Sequence, residues 1–315
     1  MADRLLRPPA VAPGARVVVV SPAASAQPAR ITRGIAKLRE LGYDAVAAEH
    51  AYGKHPPYFA GTVDERLADL HAAFADPAVA AIICTRGGYG SNYLLERLDL
   101  DLIRAHPKPF FAYSDHTAVQ TWLLDQLGLV AFHGPMAAAD FAADNGVHLA
   151  SFTEAIAGGL VEVGPAEGIR VLRPGRARGV LYGGCLSILA ASLGTCFAPE
   201  TEGKLLFLED VGAKPYQIDR MLRQMILAGK FEGVRGFLFG EMLDCASPGA
   251  EASLLEDVIL RVLEPFDVPI AIGLRSGHVS SGNVTLPLGL EAELISKNDH
   301  PQLRILEPAV LPHAG

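Results

Sequence analysis

The chain has 315 residues, of which 50% are hydrophobic, so it can bury one large core or two ordinary ones and is not a disordered chain. Its formal net charge is -8, and its lysines and arginines are scattered rather than gathered into a basic stripe. Nucleic acid is therefore not an expected partner.

Two apolar stretches imitate membrane signals. Residues 17–20 are four valines, whereas the core of a signal peptide needs about 7 to 15 apolar residues, and Pro13, Gly14 and Arg16 interrupt any extension. Residues 179–199 carry no charge and are long enough to cross a bilayer, but glycines and serines dilute them. We interpret the first stretch as a strand and the second as a buried helix, so no membrane partner is expected.

The first half of the chain alternates short β-branched runs with amphipathic stretches. Strands that are almost continuously apolar and separated by helices form parallel sheets covered on both faces. Residues 1–140 are therefore predicted to form a Rossmann-like or flavodoxin-like α/β domain. The predicted strands are 16–21, 43–47, 79–85, 109–114 and 129–132, and the predicted helices are 31–41, 63–75, 93–98 and 117–127.

The pattern weakens after residue 140. Residues 141–178 are polar and rich in Gly and Pro, apart from a short alternating strand at 169–172, and are interpreted as a linker or crossover. Residues 179–315 are predicted to form an α+β domain rich in β-structure, with a cleft between the two domains. Its predicted helices are 187–193, 218–228 and 253–263, and its first predicted strands are 204–209 and 236–239.

The four cysteines give no sign of a metal centre or a disulfide framework. They form no C-x-x-C pair, and no histidine stands at metal-ligand spacing from them. We interpret them as reduced, buried thiols, and expect neither a metal nor a cofactor. They are Cys84, Cys185, Cys196 and Cys245.

Ser114 follows an apolar strand and directly precedes a helical pattern. Active sites of α/β proteins gather at the carboxyl ends of parallel strands, and the free amides of a helix N-terminus stabilise negative charge. The position suits a nucleophile. Taken alone, Ser114 or Asp115 is more often only a helix N-cap.

A glycine-rich turn follows the strand that ends near Cys84, in Thr85-Arg-Gly-Gly-Tyr-Gly90. Its glycines allow close approach of the backbone to a ligand, and its amides suit an anion or half of an oxyanion hole. A tight strand-to-helix turn is the plainer explanation. The G-x-G-x-x-G spacing of a nucleotide site is absent.

A carboxylate and a histidine complete the set. Glu209 and Asp210 end an apolar strand, and His278 follows Gly277 in a loop after a buried strand. Exposed acids and loop histidines are common without function. With Ser114, however, they supply a nucleophile, a base and an orienting acid in the order Ser, Glu, His. The order matches α/β-hydrolases, but the G-x-S-x-G elbow is missing, which disfavours that fold.

The motifs taken together resemble those of the LD-carboxypeptidases, or muramoyltetrapeptide carboxypeptidases, a family that includes the microcin C immunity peptidases. The resemblance covers nearly the whole chain. Its motifs are Val20-Ser-Pro-Ala23, Thr85 to Gly90, Tyr113-Ser-Asp-His-Thr-Ala118, His133-Gly-Pro-Met136, Gly183-Gly-Cys-Leu-Ser187, Leu208-Glu-Asp-Val-Gly212, Pro215-Tyr-Gln-Ile-Asp-Arg220, and Gly277-His278 with Asn283 and Leu286-Pro287.

The resemblance implies a serine peptidase that releases D-alanine from murein tetrapeptides in the cytoplasm, during peptidoglycan recycling. It makes Ser114 the nucleophile, His278 the general base and Glu209 the orienting acid. The backbone amides of Gly88 and Asp115 become the oxyanion hole. A Rossmann-like first domain, a β-rich second domain and a homodimer are also implied.

Three residues depart from the family pattern, and none belongs to the triad. Ala112 replaces a glycine, His116 replaces an aliphatic residue, and Cys185 replaces a frequent asparagine. Because His116 lies two positions after Ser114, it is a candidate to perturb the pocket or to compete as a proton acceptor. Cys185 puts the substrate preference in doubt.

Arg86 is the predicted partner of the free carboxylate that a carboxypeptidase must bind, since a guanidinium matches a carboxylate bidentately. Its neighbours Gly87 and Tyr89 complete the predicted substrate-binding segment. Alternatively, Arg86 only braces the turn.

Two other functions stay open. A microcin C immunity-type peptidase would need an aromatic platform for a base, but the single tryptophan, Trp122, lies on an apolar helix face and suits core packing. A catalytically silent binder of cell-wall peptides is the other alternative. A metallopeptidase is disfavoured because no H-E-x-x-H motif occurs.

Overall fold

The computed structural model describes residues 5–246, 250–297 and 300–312, with the side chains of 250–252 excepted. Within these ranges the strands form two sheets, one of six strands and one of eight. The predicted fold class is confirmed: the chain is a mixed α/β protein with a parallel sheet in its first half and a second, larger sheet.

The first sheet is built from short, almost fully apolar strands, which suits a sheet covered on both faces. Its strands are β1 (Arg16–Val20), β2 (Asp44–Ala47), β3 (Val79–Cys84), β4 (Phe110–Ala112), β5 (Ala131–His133) and β12 (Leu286–Leu288). The order is β12-β5-β4-β3-β1-β2, and all neighbours pair in parallel except β12, which runs antiparallel to β5.

Helices connect the parallel strands. Thr62 caps the second of them: its hydroxyl accepts from the Glu65 amide at 3.2 Å, and the Glu65 carboxylate accepts from the Thr62 amide at 2.8 Å. The α-helices of this half are α1 (Pro28–Glu40), α2 (Val63–Ala75), α3 (Leu100–Ala105), α4 (Thr117–Leu127) and α5 (Leu149–Ala157).

The second sheet has eight strands: β6 (Glu162–Val163), β7 (Arg170–Arg173), β8 (Gly175–Cys185), β9 (Lys204–Glu209), β10 (Gly236–Gly240), β11 (Ile270–Leu274), β13 (Glu291–Ser296) and β14 (Gln302–Ile305). The order is β6-β14-β13-β8-β9-β10-β11-β7. Strands β8 to β11, at the centre, are parallel, and the strands on both sides of them are antiparallel. The helices that pack with it are α6 (Leu186–Ala191), α7 (Pro215–Leu227) and α8 (Ala250–Val262).

The two halves are connected more closely than a linker implies. Residues 141–178 hold α5, β6, β7 and the start of β8, so this segment is structured and contributes strands to the second sheet. β12, from the second half, joins the first sheet, and one hydrophobic core includes Phe111 of β4 together with Phe207 of β9. The boundaries 1–140 and 179–315 stay a prediction.

Two predictions about buried segments are wrong. Residues 179–185 are the end of β8, not part of a buried helix, and only Leu186–Ala191 is helical there. The glycines in this segment serve strand pairing. A Cβ on Gly183 would lie 2.0 Å from the carbonyl oxygen of Phe207, so only glycine lets β8 lie this close to β9. Cys196 is exposed rather than buried, while the other three cysteines are buried and all four are free thiols.

None of the helices in the described ranges combines the length and the apolar character that a transmembrane span requires. The fold instead brings strand ends together. β3 and β4 from the first sheet, and β8, β9 and β11 from the second, all end next to the residues that the sequence singles out.

Because the halves share a core, damage to the second sheet should destabilise the whole chain. Phe237 is fully buried in β10 against Phe231 and Phe266, so Phe237→Ala should lower the free energy of unfolding by about 3–5 kcal/mol. Urea unfolding followed by far-UV circular dichroism measures this, with Leu227→Ala, at an exposed position, as a control that changes it by less than about 0.5 kcal/mol. If only part of the dichroism change moved to lower urea in Phe237→Ala, and the rest stayed at the wild-type urea concentration, the two halves would unfold separately and would not share a core.

Candidate active site

Ser114 lies between the end of β4 and the start of α4, in a single 3-10 turn, Ser114–His116. Its φ is +64°, a left-handed conformation that costs a non-glycine residue roughly 1–3 kcal/mol. Neighbouring contacts hold it: the Asp115 carboxylate accepts from the Ser91 amide at 2.7 Å, and the Asp115 carbonyl accepts from the Ser91 hydroxyl at 2.7 Å. The N-cap of α4 is His116, not Ser114, and no side chain caps that helix.

The glycine turn after β3 touches this serine. A Cβ on Gly87 would lie 2.7 Å from Cβ of Ser114, 2.9 Å from its Oγ and 3.2 Å from the amide nitrogen of Asp115. Gly88 follows with φ +102°. Only glycine allows this approach. Of the two predicted oxyanion-hole residues, Asp115 directly follows Ser114 and Gly88 lines the same cavity as Ser114. Their role stays a prediction.

The buried Glu209 forms a hydrogen-bonded pair with His278, whose side chain is 18% exposed. Oε2 of Glu209 accepts from Nδ1 of His278 at 2.7 Å and from the His278 backbone amide at 3.0 Å, and the Glu209 side chain is fully buried. Because a carboxylate faces Nδ1, that nitrogen carries the proton and Nε2 keeps its lone pair. This is the tautomer that a general base requires.

The two groups shift each other's pKa against the effect of burial. Burial alone would raise the pKa of Glu209, but the charge of His278 and its hydrogen bonds outweigh it and lower that pKa. Burial alone would lower the pKa of His278, but the Glu209 carboxylate outweighs it and raises that pKa. His278 is therefore a stronger base than an isolated imidazole.

The loop that carries His278 is held by Asn283. Its Oδ1 accepts from the Gly277 amide at 3.0 Å, and its Nδ2 donates to the Gly277 carbonyl and to the Asp140 carboxylate, each at 3.1 Å. Gly277 itself has φ +90°, and a Cβ there would lie 2.6 Å from Cδ of Glu209 and 2.8 Å from Nε2 of His133. Any side chain at Gly277 would therefore collide with the pair.

Two buried titratable groups surround this arrangement. Burial lowers the pKa of His133 to about 4, so its imidazole is neutral at pH 7, and neither ring nitrogen has a hydrogen-bond partner among the described residues. Burial raises the pKa of Asp140 to about 6, although its bonds to the Met136 amide and to Asn283 oppose that shift. Sequence reasoning gave His133 and Asn283 no role, only a place in the family motifs, and missed Asp140.

A cavity of about 300 Å³ joins Ser114 and His278. Arg86 and Gly87 of the predicted substrate-binding segment line it, whereas Tyr89 lines a neighbouring cavity of about 320 Å³ that Arg86 and Gly88 also border. The first cavity has a second arginine that the sequence did not reveal. Arg30 of α1 lines it while donating to the carbonyl oxygens of residues 138 and 139 at 2.6 and 2.9 Å.

The residues that depart from the family pattern lie close by. His116 is fully buried with Nε2 2.9 Å from the Arg86 carbonyl, and burial lowers its pKa, so the neutral ring donates to the turn and is not among the residues lining the cavity. Cys185 is buried at the end of β8, directly opposite Glu209 in the parallel register. Trp122 packs edge-on against Phe197, with ring centroids 4.7 Å apart.

Comparisons with known proteins fit this geometry. The profile of the LD-carboxypeptidase N-terminal domain matches residues 17–134, and that of the LD-carboxypeptidase C-terminal domain matches residues 178–294. A Bacillus subtilis protein named as a probable murein peptide carboxypeptidase is 38% identical over 296 residues, which cover 91% of this chain and 91% of that protein. The murein tetrapeptide carboxypeptidase of Pseudomonas aeruginosa is 32% identical over 293 residues, which cover 89% of this chain and 92% of that protein.

Among solved structures, the microcin C7 self-immunity protein MccF in complex with aspartyl sulfamoyl adenosine is similar throughout. The TM-score is 0.86 at 27% identity, and the superposition covers 97% of this chain and 100% of that one.

The pair's electrostatics can be tested without a substrate. Glu209→Gln removes the negative charge that favours the imidazolium, so we expect the pKa of His278 to fall. NMR titration of the His278 ring measures the change, with Glu232→Gln, at an exposed position, as the control that leaves it unaltered. A pKa of His278 that stays the same or rises in Glu209→Gln would show that the carboxylate does not act on the ring.

Proposed function

The chain belongs to the LD-carboxypeptidase family, and we propose that it is a cytoplasmic serine carboxypeptidase that removes the terminal D-alanine from murein tetrapeptides. The observation that carries the proposal is that His278 lines one cavity with Ser114 and is hydrogen-bonded to the buried Glu209. The substrate class follows from the murein peptide carboxypeptidases to which the chain is similar.

In the proposed reaction, Nε2 of His278 takes the proton from the Ser114 hydroxyl, and the serine oxygen attacks the carbonyl carbon of the L-configured centre before the D-alanine. The amides of Gly88 and Asp115 stabilise the resulting oxyanion. The imidazolium, stabilised by Glu209, then gives its proton to the departing D-alanine nitrogen. Water, activated in turn by His278, releases the acyl group from Ser114.

Arg86 is proposed to bind the terminal carboxylate. It borders the cavity beside Ser114 and Gly87. Burial lowers the pKa of neighbouring His116, which makes its ring a weak base, and His116 does not line the cavity, so it is a poor competitor for the Ser114 proton. His116 instead supports the Arg86 backbone through its hydrogen bond. The turn is thus braced by His116, which leaves the Arg86 side chain to bind a ligand.

A second candidate is a microcin C immunity-type peptidase, which would use the same triad on a nucleotide-linked amino acid. One observation favours it: the cavity next to Arg86 is lined by Tyr58 and Tyr89, which are 47% and 40% exposed with ring centroids 5.8 Å apart. Such rings can stack on a base, a role that Trp122 cannot fill. A catalytically silent binder is the third possibility, and a homodimer stays a prediction from the family.

The decisive test is a digest of L-Ala-γ-D-Glu-meso-diaminopimelate-D-Ala followed by mass spectrometry. We expect wild type to release D-alanine and Ser114→Ala to lower kcat by about 10⁴-fold or more while the fold persists. Near wild-type turnover by folded Ser114→Ala would reject the serine mechanism. Hydrolysis of aminoacyl sulfamoyl adenosine but not of the tetrapeptide would favour the second candidate, and inertness toward both, together with no labelling by a fluorophosphonate, would favour the silent binder.

The role of Arg86 has its own test. Arg86→Lys keeps the positive charge but loses bidentate geometry, so KM should rise roughly 10-fold for the free tetrapeptide and stay nearly constant for its C-terminal amide. Steady-state kinetics with both substrates measure this, and Arg97→Lys, at an exposed position paired with Asp64, is the matched control. Equal effects on both substrates would assign Arg86 to bracing the turn.

A further inference from the structure

Three side chains that are far apart in sequence, one of them the proposed base His278, lie close together in the fold. Cys185 and Glu209 end neighbouring parallel strands in direct register, and His278 reaches them from the loop after β11. One potential ligand atom from each, the thiol sulfur, a carboxylate oxygen and a ring nitrogen, all lie within 4.8 Å of one another. Their separation along the chain explains why cysteine spacing gave no sign of a metal site.

The set is chemically suited to a thiophilic cation. Thiolate, imidazole and carboxylate are the ligands of Zn²⁺, with bonds of about 2.0–2.3 Å. In the tetrahedral geometry usual for Zn²⁺, ligand atoms at these bond lengths stand roughly 3.3–3.8 Å apart, so the three side chains would have to move together by at most about 1.5 Å to close the site around an ion.

A second observation points to a missing partner. Oε1 of Glu209 is fully buried and has no hydrogen-bond partner among the described residues, although Oε2 has two. An unpaired buried carboxylate oxygen is costly, and a cation would satisfy it.

We propose that Cys185, Glu209 and His278 form an inhibitory site for a thiophilic divalent cation, with Zn²⁺ the best fit and water as the fourth ligand. The ion is not a cofactor of the proposed reaction. Residues of the triad supply two ligands, and Cys185, which stands where the family frequently has an asparagine, supplies the thiolate.

Inhibition follows from the proton balance. When the cation binds, the thiol of Cys185 loses its proton to solvent. His278 loses the proton on Nδ1, whose lone pair binds the cation, and gains one on Nε2. One proton is therefore released in all. Nε2 then carries a hydrogen and has no lone pair to accept the Ser114 proton. The hydrogen bond between Nδ1 and Glu209 is also replaced by metal ligation. Nδ1 then binds the cation, and Nε2 has become a hydrogen-bond donor, so His278 can no longer act as a base.

Without a cation, the Glu209 carboxylate supplies the negative charge among the three side chains and the Cys185 thiol adds none. Burial, followed by the Glu209 and Asp210 carboxylates, raises the pKa of the Cys185 thiol well above its usual value, so the site holds no thiolate until a cation arrives. With the thiolate and the Glu209 carboxylate bound, a divalent ion is neutralised, which favours its retention in a buried position.

The binding test uses Cd²⁺ as a spectroscopic probe of the full-length protein. We expect an ultraviolet thiolate-to-cadmium charge-transfer band in wild type and in Cys196→Ser, which removes the exposed thiol, but not in Cys185→Ser. No substrate is needed, so this result is separate from the proposed peptidase activity. Absence of the band from folded wild type, or its persistence in Cys185→Ser, would overturn the proposal.

The functional test measures Zn²⁺ inhibition of fluorophosphonate labelling at Ser114, each protein being normalised to its own rate in EDTA. We expect EDTA to reverse inhibition of wild type, and the inhibitory Zn²⁺ concentration to rise at least about 10-fold in Cys185→Ser, since even loss of an outer-shell partner weakens metal binding that much. Cys185→Asn, with the residue frequent in the family, repeats the test if the serine variant does not fold. Equal sensitivity of wild type and both Cys185 variants would reject the site.

Discussion

The hydrogen bond between the buried Glu209 and the partly exposed His278 is the interaction on which the rest of the site depends. A carboxylate removed from water loses several kcal/mol of solvation, and here one oxygen regains part of this through the ring at 2.7 Å and the backbone amide at 3.0 Å. The double contact holds both the ring and the main chain of His278. It therefore sets the tautomer, the direction of Nε2 and the raised pKa at once. The raised pKa has a cost, because the base is neutral, and so active, only at higher pH.

The proposed site also requires the two sheets to lie close together. Glu209 and His278 come from the second sheet, while Ser114 and the Gly87 turn come from the first, and a misplacement of about 1 Å is enough to lose much of a catalytic rate. β12, which returns to the first sheet, and the bond between Asp140 and Asn283 join the halves at the site itself. Glycine is required where the parts meet, since a side chain at Gly87 or Gly277 would occupy the space of a neighbouring functional group.

Sequence patterns predicted local structure well and long-range contacts poorly. The periodicity of α4 matches its observed bounds, and the apolar run before Glu209 is β9 without change. Residues 179–185 were misassigned because a short apolar run with glycines suits a buried helix and a buried strand equally. The position of Ser114, Glu209 and His278 at strand ends was visible in the sequence, whereas the hydrogen bond of Asn283 to Asp140 spans 143 positions and left no local pattern. Arg30, on the exposed side of a helix, looks like any solvated charge.

The groups around the pair explain why Glu209 raises the pKa of the histidine more than Asp210 and Asp140 do. His133, with its pKa lowered to about 4, brings no charge at neutral pH, and burial raises the pKa of Tyr113, whose ring lies 5.1 Å edge-on from that of His278, well above its usual value. In these buried surroundings the negative charge of Glu209 is screened little. Its effect, which raises the pKa of His278, therefore outweighs the effect of burial, which lowers it. The same surroundings keep the Cys185 thiol protonated in the absence of a cation and would strengthen its bond to one that enters. The Glu209 carboxylate thus makes the histidine a good base in spite of its burial, and the proposed cation site would, through Cys185, also expose it to capture by a metal ion.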